Sequence, residues 1–150
     1  MIALKSGDSA PEFSATKQNG QTINLKDYRG KKVVLYFYPK DNTPGCTTQA
    51  CNLRDNYTLL KKQGYEIIGI SQDTEKSHQK FIEKESLPFD LISDVDHKVH
   101  KLYGTWDLKK FMGKEYMGTL RTTFVIDEKG IISDVIEKVK TVDHSSQILT

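Results

Sequence analysis

Two cysteines, Cys46 and Cys51, are the residues of this 150-residue chain whose types and spacing best suit covalent chemistry. A thiolate is the reactive form of such a side chain, so the first question is what would stabilise an anion at either position. Cys46 follows Pro39-Lys40-Asp41-Asn42-Thr43-Pro44-Gly45, which joins an apolar run to a helical stretch. Thr43 suits the N-cap of that helix and Pro44 its first position, where a missing N–H costs nothing. Cys46 then falls in the first turn, where unpaired backbone N–H groups and the positive end of the helix dipole favour an anion. The competing reading is a small buried hydrophobe, the usual fate of a free cysteine. Position alone leaves the two even; Cys51 tips the balance toward redox chemistry.

Five residues along an α-helix correspond to a rise of about 7.5 Å, which puts the two Cα atoms roughly 8 to 9 Å apart on different faces. A disulfide needs roughly 4.4 to 6.8 Å. Cys46 and Cys51 therefore bond only if the first turns unwind. Such a conditional bond makes sense if Cys46 first becomes a sulfenic acid and then condenses with the second thiol. A buried structural thiol at Cys51 is the alternative. Cleaving a peroxide O–O bond builds negative charge on the leaving oxygen, so fixed donors are needed there. Thr43 offers a hydroxyl, and the N–H groups of Gly45 and Cys46 point the same way. A guanidinium would serve both sulfur and peroxide. Of Arg29, Arg54 and Arg121, the last begins a strand that reads as buried and is the best candidate, against a plain strand-end charge.

The elements that would position these groups follow from the pattern of apolar residues. Residues 33–38 (Val-Val-Leu-Tyr-Phe-Tyr) and 66–71 read as strands covered on both faces. Residues 121–127 and 131–139 form a further pair across the turn Asp127-Glu128-Lys129-Gly130. Helices are expected at 45–62, ended by Gly64, at 75–85 behind an Asp73 or Thr74 cap, and at 97–103 before Gly104. Residues 13–16 and 21–23 flank Asn19-Gly20 as a short N-terminal β-hairpin. One helical turn fits 25–28, and Asp143 suits the cap of a short last helix. The order implies an α/β protein, with a mixed central sheet flanked by helices in one domain over residues 1–150. The loop 39–44 then lies at the carboxyl end of its strand, where open α/β sheets place their chemistry.

Composition narrows the function. The net charge of +2 comes from 22 basic and 20 acidic residues without a basic run, which argues against nucleic acid. No apolar stretch reaches the roughly 20 residues of a membrane span, and the first residues show no targeting pattern, so a cytoplasmic protein is expected.

The segment Pro39-Lys40-Asp41-Asn42-Thr43-Pro44-Gly45-Cys46-Thr47-Thr48-Gln49-Ala50-Cys51 resembles the signature of the peroxiredoxins, and most closely their Q subgroup, the bacterioferritin comigratory protein group. The resemblance extends through Leu53-Arg54-Asp55, Gly69-Ile70-Ser71, Leu91-Ile92-Ser93-Asp94, Phe111-Met112-Gly113-Lys114 and the run from Arg121 to Asp127. It implies a thioredoxin-like fold and a thiol peroxidase acting on hydrogen peroxide and organic hydroperoxides. Cys46 becomes the peroxidatic nucleophile and Cys51 the resolving thiol, with Pro39, Thr43 and Arg121 forming the pocket. It further implies no metal or organic cofactor, recycling by thioredoxin or a similar dithiol, and a monomer. Gln49 stands where many relatives carry Glu. A general thiol–disulfide oxidoreductase, which the missing Cys-x-x-Cys disfavours, and a non-enzymatic redox sensor are the alternatives.

Other residues are given plainer readings. His78, His97, His100 and His144 lack a ligand set, and exposed polar positions are expected for them. Asp94 and Asp96 read as caps for the helix at 97. Trp106, Phe111, Tyr116 and Met117 read as hairpin packing rather than as the rim of a peroxide pocket.

Overall fold

The run at residues 33–38 lies at the centre of the structure, a computed structural model that describes residues 2–149. Strand period sends Val33, Leu35 and Phe37 into one apolar layer, and Val34, Tyr36 and Tyr38 into the other. From the N-terminus the chain forms β1 (Ser14–Lys17), β2 (Thr22–Asn24), a 3-10 turn at Leu25–Tyr28, β3 (Lys32–Phe37), α1 (Pro44–Asp55) and α2 (Tyr57–Lys62). It continues through β4 (Tyr65–Ser71), α3 (Glu75–Glu85), β5 (Asp90–Ser93), α4 (Lys98–Tyr103), β6 (Trp106–Phe111) and β7 (Lys114–Thr119). Last come β8 (Thr122–Ile126), β9 (Ile132–Ile136), a 3-10 turn at Thr141–Asp143 and α5 (His144–Leu149).

Seven strands make one mixed sheet in the order β2-β1-β5-β4-β3-β8-β9, and β6 and β7 pair separately. Strands β3, β4 and β5 are parallel, whereas β8 runs antiparallel to β3 and β1 antiparallel to β5. Leu53 of α1, Leu60 of α2, Phe81 of α3 and Ile148 of α5 fill the layer that holds Tyr36, while Val99 and Tyr103 of α4 fill the other. The Tyr36 ring crosses Gly69, its partner on β4; a Cβ there would lie 2.8 Å from the ring carbon Cζ. Only glycine fits.

The structure departs from expectation in two elements. The helix expected over 45–62 breaks at Asn56, whose φ of −108° and ψ of 11° leave the helical region. There the Asn56 side-chain amide donates to the Asn52 carbonyl at 2.9 Å, supplying a local partner that competes with helix continuation. Strand β5 was not anticipated, because four residues behind Leu87-Pro88 carry too short a pattern to register. The N-terminal hairpin, α3 with its Thr74 cap, and the β8–β9 pair form where expected.

Candidate active site

Helix α1 begins at Pro44, so Cys46 sits in its first turn, as the N-cap and proline signals imply. The side chain is also 2% exposed, packed in the layer with Tyr36, Tyr38, Ala50 and Leu53. The two readings of Cys46 are thus combined: a helix-terminal sulfur in an apolar wall. Pairing of β3 with β8 sets Thr122 opposite Phe37, which brings the preceding residue, Arg121, to the end of β3 where the loop leaves the sheet. Its guanidinium donates from Nη2 to Cys46 Sγ at 3.2 Å and from Nη1 to Gln49 Oε1 at 2.5 Å. Gln49 is fully buried. Residues 75 apart in sequence therefore form one charged contact, anchored by a neutral amide.

Thr43 occupies the N-cap position with φ of −87° and ψ of 153°, but its hydroxyl does not cap the helix. It donates instead to the Lys40 carbonyl at 2.8 Å, closing the loop on itself. Pro39 is half-buried immediately after Tyr38. The loop and α1 therefore bring Pro39, Thr43 and Cys46 to one junction, and β8 delivers Arg121 to the sulfur.

Cys51 lies on the same unbroken helix, half-buried, and both cysteines are free. Burial pushes its thiol above the ordinary value, with Arg54 pulling the other way. Next to it, Asn52 ties α1 to the C-terminal segment: Oδ1 accepts from the Ser145 N–H at 2.8 Å and Nδ2 donates to the Val142 carbonyl at 3.2 Å. Two buried side-chain polar atoms have no hydrogen-bond partner among the described residues, the Tyr36 hydroxyl and Gln49 Nε2. Burial and then the neighbouring Cys46 hold the Tyr36 phenol well above its ordinary value.

The expectation of exposed histidines fails. His78, His100 and His144 are fully buried, because each ring meets partners at both nitrogens. His100 Nδ1 lies 2.6 Å from Asp94 Oδ2, whose carboxylate also accepts the backbone N–H of Val99 and His100. Burial would raise that carboxyl, but the hydrogen bonds from His100 and the backbone bring it below its ordinary value. Asp94 and Asp96 do serve the start of α4, as expected. Trp106 stacks on His97 at 3.6 Å, and Phe111, Tyr116 and Met117 stand exposed on the β6–β7 hairpin.

Residues 6–135 match the AhpC/TSA family. The chain belongs to that family. Among its AhpC/TSA relatives, the peroxiredoxin Bcp of Escherichia coli is 49% identical over 149 residues, covering 99% of this chain and 96% of the relative. The peroxiredoxin Bcp of Bacillus subtilis is 45% identical over 148 residues, covering 99% and 94%. A cysteine-to-serine variant of the Xylella fastidiosa PrxQ superposes with a TM-score of 0.91 at 29% identity, covering 97% and 93%. A Xanthomonas campestris bacterioferritin comigratory protein, solved in a trapped intermediate/ligand complex bearing on alkyl peroxide reduction, gives 0.86 at 32% identity, covering 91% and 87%. This AhpC/TSA chain is thus a peroxiredoxin of the Q group with the thioredoxin-like fold that the resemblance implies.

Gln49, which the sequence marks only as a departure from the Glu of many relatives, holds the guanidinium that meets Cys46. Its signal was available: residues three apart on a helix share a face, so Gln49 had to accompany Cys46. The identity of its partner was not, because the register that delivers Arg121 belongs to the sheet.

Proposed function

We propose that this peroxiredoxin reduces hydroperoxides with Cys46 as the peroxidatic nucleophile and Cys51 as the resolving thiol. The contact of Arg121 Nη2 with Cys46 Sγ at 3.2 Å, in the first turn of α1, carries the reading. Helix terminus and guanidinium both favour an anionic sulfur, and the guanidinium can also hold the peroxide oxygens. In the first step the sulfur attacks the near peroxide oxygen. The O–O bond breaks, the attacked hydroxyl oxygen stays on Cys46 as a sulfenic acid, and the leaving oxygen takes a proton from water, equal to the one released when the thiol ionised, and departs as alcohol or water. In the second, the Cys51 thiol displaces the sulfenic hydroxyl as water and the disulfide forms.

Because both cysteines lie on α1, that second step requires the helix to open between them. A dithiol such as thioredoxin then supplies the two electrons and two protons that restore both thiols. We take the chain as one catalytic domain that works as a monomer. Two free thiols suit a reducing cytoplasm, and no helix among the described residues is long and apolar enough to cross a membrane.

Mass spectrometry after one equivalent of hydrogen peroxide tests the scheme. The wild type should lose two hydrogens, and Cys51→Ser should gain one oxygen on Cys46. Peroxide consumption by Cys46→Ser near the wild-type rate would overturn the assignment.

A further inference from the structure

The loop at residues 39–43 carries Pro39 and Thr43, yet its middle is held through a single residue. Among the described residues, every hydrogen bond that ties residues 40–42 to another part of the fold runs through Asp41. Its backbone N–H donates to Asp73 Oδ2 at 2.8 Å. Its buried carboxylate accepts the Tyr38 hydroxyl on Oδ1 at 2.6 Å, and the Ser77 hydroxyl on Oδ2 at 2.8 Å. His78 Nδ1 lies 2.7 Å from the same Oδ2. Beyond Asp41 the backbone turns through Asn42 at φ of +61°, a left-handed conformation that an L side chain adopts at some cost. The anchor sits next to the strained residue.

Among the groups that bind the Asp41 carboxylate, His78 is the one that ties it to strand β5. His78 Nε2 faces the Ile92 carbonyl of β5 at 2.9 Å, and a carbonyl can only accept, so Nε2 carries a proton. Nδ1 and Asp41 Oδ2 then share one further proton across 2.7 Å. The ring, fully buried on α3, bridges the central sheet to the loop. Asp73 completes the cluster, its Oδ2 accepting the Ser71 hydroxyl at 2.6 Å as well as the Asp41 N–H. The acidic oxygens and the imidazole of Asp41, Asp73 and His78 lie within 4.8 Å of one another, but these donors already occupy them, which marks a hydrogen-bonded latch rather than an ion cage.

We propose that His78 is a positioning residue for the peroxide reaction, acting through Asp41 to hold the loop from which the Thr43 hydroxyl, donated to the Lys40 carbonyl in this structure, turns to the substrate at Cys46. It touches neither sulfur nor substrate. Its effect should fall on the peroxide reaction, which needs aligned donors, more than on simple alkylation, which needs only an available thiolate. The proposal rests on the reading of Cys46 as the peroxidatic nucleophile.

The test compares wild type, Cys46→Ser, His78→Leu, Asp41→Ala and the double variant Asp41→Ala/His78→Leu. Each is assayed for the second-order rate of Cys46 oxidation by hydrogen peroxide, the rate of Cys46 alkylation by iodoacetamide, and the thermal midpoint. His78→Leu leaves the buried Asp41 carboxylate to the Tyr38 and Ser77 hydroxyls alone and should lower the midpoint, whereas the double variant removes the carboxylate as well, frees those two hydroxyls, and should recover part of it. A positioning role predicts that the double variant, though folded, still reacts with peroxide at least tenfold more slowly than wild type, with alkylation changed less than threefold. Wild-type-like peroxide reactivity in the double variant would overturn the proposal. So would a parallel loss of both rates, or failure of the double variant to fold, since the pair would then serve the core alone. A wild type that ignores peroxide, or a Cys46→Ser that consumes it, refutes the peroxidatic assignment instead and is distinguished by those two controls.

Discussion

Replacing Arg121 with Met removes the charge and both donors while keeping much of the side-chain bulk. The guanidinium stands 3.2 Å from the sulfur; at an effective dielectric of about 20, a full pair of charges at that distance interacts by roughly 5 kcal/mol. Arg121 is only half-buried, so water screens part of this. Loss of one preorganised donor from an anion-stabilising site costs about 3 to 4 kcal/mol, or a factor of roughly 10² to 10³ in rate. The peroxide rate constant of Arg121→Met should fall by that factor. Arg121→Lys keeps a charge but loses the fork that spans Sγ and Gln49, and should lie between wild type and Arg121→Met. Stopped-flow mixing with hydrogen peroxide under single-turnover conditions reads the step directly, and circular dichroism melts of the same samples control for folding. An Arg121→Met protein that folds normally and reacts within threefold of wild type would refute the reasoning, because the guanidinium on the sulfur would be irrelevant to its attack.

Tyr36→Phe deletes a buried hydroxyl that has no partner among the described residues, so it should stabilise the fold by about 1 kcal/mol and raise the urea midpoint; a lowered midpoint would mean that the hydroxyl is satisfied. His144 is held below its ordinary 6.5, chiefly by burial, with the Arg121 charge adding and the Gln147 hydrogen bond opposing. The unfolded chain therefore binds more protons in acid: the His144 contribution is intact above about pH 6.5 and lost as the pH falls toward the folded value, so His144→Asn should flatten the acid limb of the stability curve. Asn52→Ala breaks two hydrogen bonds that tie α1 to the C-terminal segment, worth together about 1 to 2 kcal/mol. If opening of α1 limits disulfide formation, quench-flow mass spectrometry should show that step several-fold faster, with the first oxidation unchanged.

The cysteine site could be read from the chain because its signals are local. Thr43, Pro44 and Cys46 are consecutive or nearly so, and helix-start chemistry depends on neighbours in sequence. Arg121, which contacts the Cys46 sulfur, stands out among three arginines for a different reason: a strand that reads as buried makes a charge at its start conspicuous. What the sequence withheld lies in contacts between elements. The histidines were read as exposed because nothing local distinguishes a surface imidazole from one satisfied at both nitrogens, as His78 is between Asp41 and Ile92. The break at Asn56 was missed because a side-chain amide closing on its own helix leaves no change in apolar period. Thr43 was expected to cap α1 and instead braces the loop, since the hydroxyl has two acceptable partners and only the loop conformation decides between them.

Helix α1 faces opposed demands in the proposed cycle. Attack on peroxide needs its first turn fixed, whereas condensation with Cys51 needs the same turns to open. Gln49 lies between the two cysteines, and Arg121 bridges it to Cys46. While the sulfur is anionic, that bridge is charge-assisted at the sulfur and holds the turn closed. Oxidation to a neutral sulfenic acid removes the anion, so the charge-assisted part of the restraint disappears with the chemistry itself. Asn52 and the C-terminal segment remain as the second tether, which the change of charge at Cys46 does not touch. The first step thus loosens the start of the helix and leaves the far end to set how quickly Cys51 can arrive. On this account, the time Cys46 spends as a sulfenic acid depends on Asn52 rather than on Arg121.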